Sequence, residues 1–205
     1  LRRRLGLPAA ERYVGMMPGS RRRERALMGP QMIGAALRLL ADGDTHFLWS
    51  PGPPGSVDRV PIPASLQPRL TVVERSLDLL QAADLTLTSF GTATLEATAA
   101  EAPIIGMYRG TLIESLIFPL MRVPTKVFAM PNIILGYEAV PELILGESNA
   151  RCLAERARGL LADPQALARL KDQLRQAREE LGPPGATART ADVVESVLAR
   201  MEARV

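Results

Sequence analysis

The stretch from Thr88 to Glu101, TSFGTATLEATAAE, restricts the fold more than any other part of the chain because of the short apolar runs on either side of it. Ala83 to Thr88 has the length and composition of a buried strand and Pro103 to Tyr108 reads as a second, with alanine-rich sequence favouring a helix between them. The unit is strand, turn, helix, strand. Gly91 allows a tight turn where the first strand ends, and Thr92 or Thr94 can cap the helix, leaving the amides of Thr92, Ala93 and Thr94 free. Free amides and the positive end of the helix dipole attract phosphate. Glu96, one turn further on, can accept hydrogen bonds from the hydroxyls of a ribose. Together these residues would make a nucleotide site. Small residues at such a turn also occur as packing devices in any parallel sheet.

Before this unit, Tyr13 to Met17 predicts a first strand, broken by Pro18-Gly19-Ser20 ahead of an arginine-rich helix start. In that helix Met32, Ile33, Ala36, Leu37 and Leu40 recur at helical spacing, and Pro30 stands in the first turn or kinks it. His46 to Trp49 predicts a second strand, Pro51 to Pro68 a surface excursion, Leu70 to Val73 a third strand, and Ser76 to Ala83 a helix capped by Ser76. After the unit, Thr111 to Leu120 predicts a helix, Val123 to Leu135 a long loop, and Val140 to Leu145 a short helix. From Asn149 onward amphipathic helices are expected, broken near Asp163-Pro164 and at Gly182 to Gly185.

Alternating strands and helices without hairpin signals imply a Rossmann-like parallel sheet with helices on both faces. Ligands of such sheets sit beyond the carboxyl ends of the strands, which puts Pro18 to Arg21 and Ser89 to Glu96 on one rim. Gly19 and Ser20 can donate to phosphate there, and Arg21 offers a forked pair of donors. Read blandly, Arg21 to Arg25 is a solvated helix start.

Composition narrows the chemistry. With 205 residues and 47% apolar content the chain can bury a real core. One cysteine, Cys152, and one histidine, His46, exclude an internal disulfide and a Cys/His zinc site and speak against a Cys-His catalytic pair. His46 opens a buried strand and reads as structural. The net charge is +3, and the basic clusters at Arg2 to Arg4 and Arg21 to Arg25 lack interleaved aromatics, so a nucleic-acid platform is not expected, while a weak attraction to anionic lipid is. No membrane span or signal peptide is legible, and a cytoplasmic location is expected. The first residue is Leu1, as expected of a piece of a longer protein.

Four segments, MMPGSRRRE (Met16 to Glu24), GTATLEATAAEAPIIGMYR (Gly91 to Arg109), PNIILG (Pro131 to Gly136) and VPEL (Val140 to Leu143), stand in an order and at separations that resemble lipid-A-disaccharide synthase, over nearly the whole chain but only the carboxyl half of such an enzyme. The resemblance implies the two-domain GT-B glycosyltransferase architecture, with this chain as the carboxyl-terminal domain that takes the UDP-sugar donor. It implies residues 1–12 as a linker from an amino-terminal domain, 13–148 as the nucleotide-sugar unit, and 149–205 as helices packing on the sheet or on a partner domain.

The implied reaction joins UDP-2,3-diacylglucosamine to the lipid-linked sugar acceptor lipid X, inverting and without a metal or cofactor, at the cytoplasmic face of the membrane. Gly19, Ser20 and Arg21 would face the donor diphosphate, with Arg21 stabilising the departing UDP. Gly91, Thr92 and Thr94 would form the helix-tip site, Glu96 would bind ribose, and Asn132, in the PN motif, would be a further donor-binding residue. The general base would sit in the amino-terminal domain, so the isolated chain is expected to be inactive, and a homodimer is expected. Two positions depart from the family pattern: Phe90 stands where serine is usual and Leu145 where glutamine is usual. An epimerase acting on UDP-N-acetylglucosamine and a non-catalytic UDP-sugar-binding domain are the alternative readings.

Overall fold

Six short parallel strands form one sheet in the order β3-β2-β1-β4-β5-β6: β1 (Arg12–Met17), β2 (Thr45–Trp49), β3 (Leu70–Val72), β4 (Leu85–Ser89), β5 (Ile104–Tyr108) and β6 (Glu142–Ile144). The computed structural model describes residues 1–10, 12–52, 60–111, 127–183 and 185–202. The helices are α1 (Arg22–Leu39), α2 (Ser76–Ala82), α3 (Thr92–Ala99), α4 (Met130–Leu135), α5 (Ala150–Ala162), α6 (Pro164–Glu180) and α7 (Ala186–Glu202). The chain runs from β1 outward to β3, returns to pair β4 with β1, and continues outward to β6. The order therefore reverses between β1 and β4, where the loops at the carboxyl ends part and leave a crevice.

Alternation along the strands divides the core between the two faces. Val14, Met16, Phe47, Trp49, Leu85, Leu87, Ile105 and Met107 pack under α1 and α5, whereas Tyr13, Met17, Leu48 and Ile104 pack under α2, α3 and α6. Gly15 lets α2 come close to the sheet, since a Cβ there would stand 2.6 Å from both Leu79 Cδ2 and Thr86 Oγ1. The opening residues lie against the same unit. Arg2 donates to the Ala82 carbonyl (2.8 Å) and to Asp84 (2.7 Å) and covers the Tyr13 ring. At the other end the described side chains of α7 are exposed, and Val193, Val194, Val197 and Met201 form an uncovered apolar stripe.

Several expectations need correcting. Val140 to Leu145 contains no α-helix: Glu142–Ile144 adds an edge strand to β5 and Leu145–Glu147 makes one tight 3-10 turn. Pairing with β5 satisfies backbone groups that a helix this short would leave open. Part of the stretch expected as a loop, Met130–Leu135, is helical, with Pro131 in its first turn and Gly136 closing it at φ +78°. Pro30 lies inside α1, not in its first turn. Ser76 does not cap α2, because Arg75 holds the cap position and the Ser76 hydroxyl turns to Glu96. The helix expected at Thr111 to Leu120 falls almost entirely outside the described residues.

His46 is 3% exposed, with Nε2 2.8 Å from the Thr71 hydroxyl on the neighbouring strand and its ring edge-on to Tyr13. Burial, and after it the Arg69 cation, hold its pKa below the usual 6.5, with Asp44 opposing. The unfolded chain therefore binds a proton more readily than the folded one. The contribution of a neutral His46 to stability is complete above about pH 6.5 and is lost as the pH falls below that value. We expect the midpoint of thermal unfolding to drop between about pH 7 and 5, and His46→Gln to flatten that profile. An unchanged slope in the variant would assign the pH dependence to other groups.

Candidate functional site

A cleft of about 450 Å³ opens at the reversal point, lined by residues from four consecutive strand exits. Gly19, Ser20, Arg21 and Glu24 come from the β1 exit, Ser50 and Gly52 from β2, Glu74 and Ser76 from β3, and Ser89 to Ala93 with Glu96 from β4. Met17 pairs with Thr88 at the ends of β1 and β4, so the two glycine turns rise side by side.

The first turn is shaped by Gly19 at φ +106° and by Glu24. The Glu24 carboxylate accepts from the Arg21 amide (3.3 Å) and takes the Arg21 guanidinium at 2.7 Å, closing the start of α1. The Arg21 side chain is nevertheless 80% exposed, free to exchange this carboxylate for another anion.

The second turn is built differently from expectation. Gly91, at φ +113° and ψ −146°, is the cap residue of α3, and neither Thr92 nor Thr94 caps with its side chain. Only glycine adopts such angles readily. Thr94 is fully buried: its hydroxyl donates to the Gly91 carbonyl (2.7 Å) and accepts from the Met130 amide (3.1 Å), and its own amide bonds Gly91 O (3.1 Å). Thr94 thus ties α3 to α4 and does not line the cleft. Thr92 and Ala93 do, and their first-turn amides have no earlier helical turn to bond. Glu96 stands exposed at the rim and accepts a hydrogen bond from the Ser76 hydroxyl of α2.

Of the residues expected at the site, the cleft gathers Gly19, Ser20, Arg21, Gly91, Thr92 and Glu96. Asn132 is elsewhere. It is fully buried beneath α4, with its amide nitrogen on the Val140 carbonyl (2.8 Å) and Glu142 (2.7 Å) and its oxygen accepting from the Ala139 and Val140 amides, both at 2.8 Å. Leu145 also lies off the cleft lining, at φ +51°. Phe90 is on it, with its ring stacked on Phe128 and resting against Gly106, where a Cβ would meet the ring at 2.5 Å.

Ser50, Gly52, Glu74 and Ser76 were missed as site residues. The signal was present: each follows the end of a strand, and the strand-end rule applied to β1 and β4 holds equally for β2 and β3. Three carboxylates, Glu24, Glu74 and Glu96, reach the cleft, more than the sequence places there, although Glu24 is engaged with α1.

Residues 1–197 match the sequence profile of the family described as lipid-A-disaccharide synthetase. A lipid-A-disaccharide synthase of Anaeromyxobacter sp. (strain K) is 33% identical over 202 residues, covering 95% of this chain and 51% of the relative. The chain thus spans about half the length of the curated relatives it matches. Among solved structures, the spinosyn forosaminyltransferase SpnP aligns at TM-score 0.60 and 16% identity over 97% of this chain and 46% of its own. MnaA of S. aureus, solved with UDP, aligns at TM-score 0.57 and 15% identity over 93% and 47%. Identities this low establish the fold, which is the Rossmann-like domain of GT-B glycosyltransferases. The sheet order, the cleft at its reversal point and the profile spanning nearly the whole sequence agree, and the chain belongs to the lipid-A-disaccharide synthetase family.

Proposed function

We propose that this chain holds the UDP-sugar donor of an inverting glycosyltransferase in lipid A assembly, UDP-2,3-diacylglucosamine if it keeps the family's substrate, for transfer to a lipid-linked sugar acceptor. The observation that carries the reading is the convergence of two glycine turns and the Glu96–Ser76 pair on one cleft. Gly19 to Arg21 and Gly91 to Ala93 would take the diphosphate between two helix starts, and Glu96 would take the ribose. The UDP held by a protein of the same fold is consistent with this. As the sugar leaves, negative charge grows on the diphosphate, and Arg21 turning from Glu24 would stabilise it together with the amides. Residues 13–148 act in this reading as the nucleotide unit and 149–205 as its helical cover. The exposed stripe of α7 would serve self-association, which sedimentation at rising concentration would detect. A peripheral position at the inner membrane face belongs to the same reading; no helix among the described residues is long and apolar enough to cross a membrane.

The test is titration calorimetry with UDP. A lost hydrogen bond to a charged partner costs about 1.5 to 3 kcal/mol, so Glu96→Ala is expected to weaken UDP about tenfold or more. Equal affinities for the two proteins would remove Glu96 from the site, and no binding by the parent chain would remove the donor reading itself.

A further inference from the structure

We propose that Arg25 is a positioning residue of this cleft, a buried cation set behind the Gly19–Arg21 turn that favours a diphosphate in front of it; the role rests on the donor reading above. Arg25 is 5% exposed. Its Nη1 donates to the Ser20 carbonyl at 2.5 Å, and its Nε is buried with no hydrogen-bond partner among the described residues. On the other side it runs against bare backbone at Gly52, where φ is +87° and a Cβ would stand 3.1 Å from Arg25 Nη1. Ser20 and Gly52 both line the cleft, so the guanidinium joins two of its walls from behind. The nearest acid in sequence, Glu24, is paired with Arg21, and among the described residues no carboxylate forms an ion pair with Arg25.

A buried cation without a counter-charge is costly, and most side chains escape the cost by shedding a proton. Arginine cannot, because its pKa lies above any relevant pH. The charge therefore persists in the low-dielectric wall, where its field acts on whatever occupies the cleft. An arriving diphosphate supplies the missing negative charge. The bond to Ser20 also fixes the turn. In a trans peptide the Ser20 carbonyl and the Arg21 amide point in opposite directions, so holding the carbonyl on Arg25 turns that amide toward Glu24.

The experiment compares UDP, uridine and inorganic pyrophosphate by calorimetry on the parent chain, Arg25→Met and Arg25→Lys, with thermal unfolding of each ligand-free protein. Replacing a buried, unpaired cation by an apolar chain of similar length should leave the unfolding midpoint equal or higher. Arg25→Met should weaken UDP and pyrophosphate about tenfold, the scale of one lost charge interaction in a shielded site, while uridine changes less than about twofold. Arg25→Lys should keep most of the affinity. Unchanged UDP binding in Arg25→Met, equal losses for UDP and uridine, a lysine variant as weak as the methionine one, or a collapse of the fold would each overturn the proposal, the last by making Arg25 a structural anchor. Pyrophosphate separates the two readings: a parent chain that binds pyrophosphate but not UDP refutes the donor site while Arg25 stands or falls on pyrophosphate, and one that binds neither overturns both.

Discussion

Asn132→Ala is expected to destabilise the chain by about 2 to 5 kcal/mol, because truncation leaves the Val140 amide and carbonyl buried without partners, at about 1 to 3 kcal/mol for each group left unmade, and leaves the Ala139 amide with the Tyr137 carbonyl as its acceptor. Glu142 would be affected as well. Its carboxylate gathers the Phe128 amide (2.9 Å), the Ala129 amide (2.7 Å) and the Asn132 amide nitrogen, and so holds the start of α4 against β6. Asn132 and Glu142 act as one network, and Asn132→Ala combined with Glu142→Gln should cost less than the sum of the two changes. Urea unfolding measures all three proteins. If Asn132 works only by holding α4 to β6, the folded variant should bind UDP within about threefold of the parent. Intact stability with lost UDP binding would instead restore the direct donor contact that the family resemblance implies.

Gly19→Ala is expected to be the more damaging change within the cleft. A side chain at φ +106° is strained by about 1 to 3 kcal/mol whatever the space around it. Here the space is also taken: the new Cβ would stand 2.4 Å from Glu24 Oε2, 2.9 Å from Glu24 Cβ and 3.0 Å from Ser89 Oγ. Overpacking of this kind adds about 1 to 3 kcal/mol. The relief available is displacement of Glu24, which opens the start of α1 and moves the turn that would face the diphosphate. Gly91→Ala is the internal control, since Gly91 has a comparable φ of +113° but, beyond its own chain neighbours, no described atom within 4 Å of the added Cβ. Both variants should lose UDP affinity, with Gly19→Ala also losing clearly more stability. Equal unfolding midpoints would mean that Glu24 yields freely and that the turn is looser than its geometry indicates.

The strand-turn-helix pattern was legible because it depends on short-range chemistry. Buried parallel strands are continuous apolar runs, and glycines with small residues mark the turns between them. β1 to β5 and the helices after Asn149 accordingly fall within a residue or two of expectation. Val140 to Leu145 failed for the complementary reason: apolar residues in a run this short fit a helix or a strand equally, and the free edge of β5 decided between them.

The same division runs through the site. Gly19, Gly91 and Glu96 could be found from sequence because turn glycines and a carboxylate one helical turn beyond are local features. Thr94 and Asn132 carry the same polar groups as a ligand site would, yet the fold directs them inward, one joining α3 to α4 and the other α4 to β6. Arg25 looked like one more arginine in a solvated run until the packing of α1 against the Ser50–Gly52 corner buried it. What the sequence alone determined was the alternation of elements, the parallel sheet and the place of its two anion-suited turns, since periodicity and backbone freedom are properties of neighbouring residues. Which polar side chains face the cleft, and which are spent holding helices together, only the tertiary structure decided, because hydrogen-bond partners far apart in the chain become available only once the sheet has set the loops side by side.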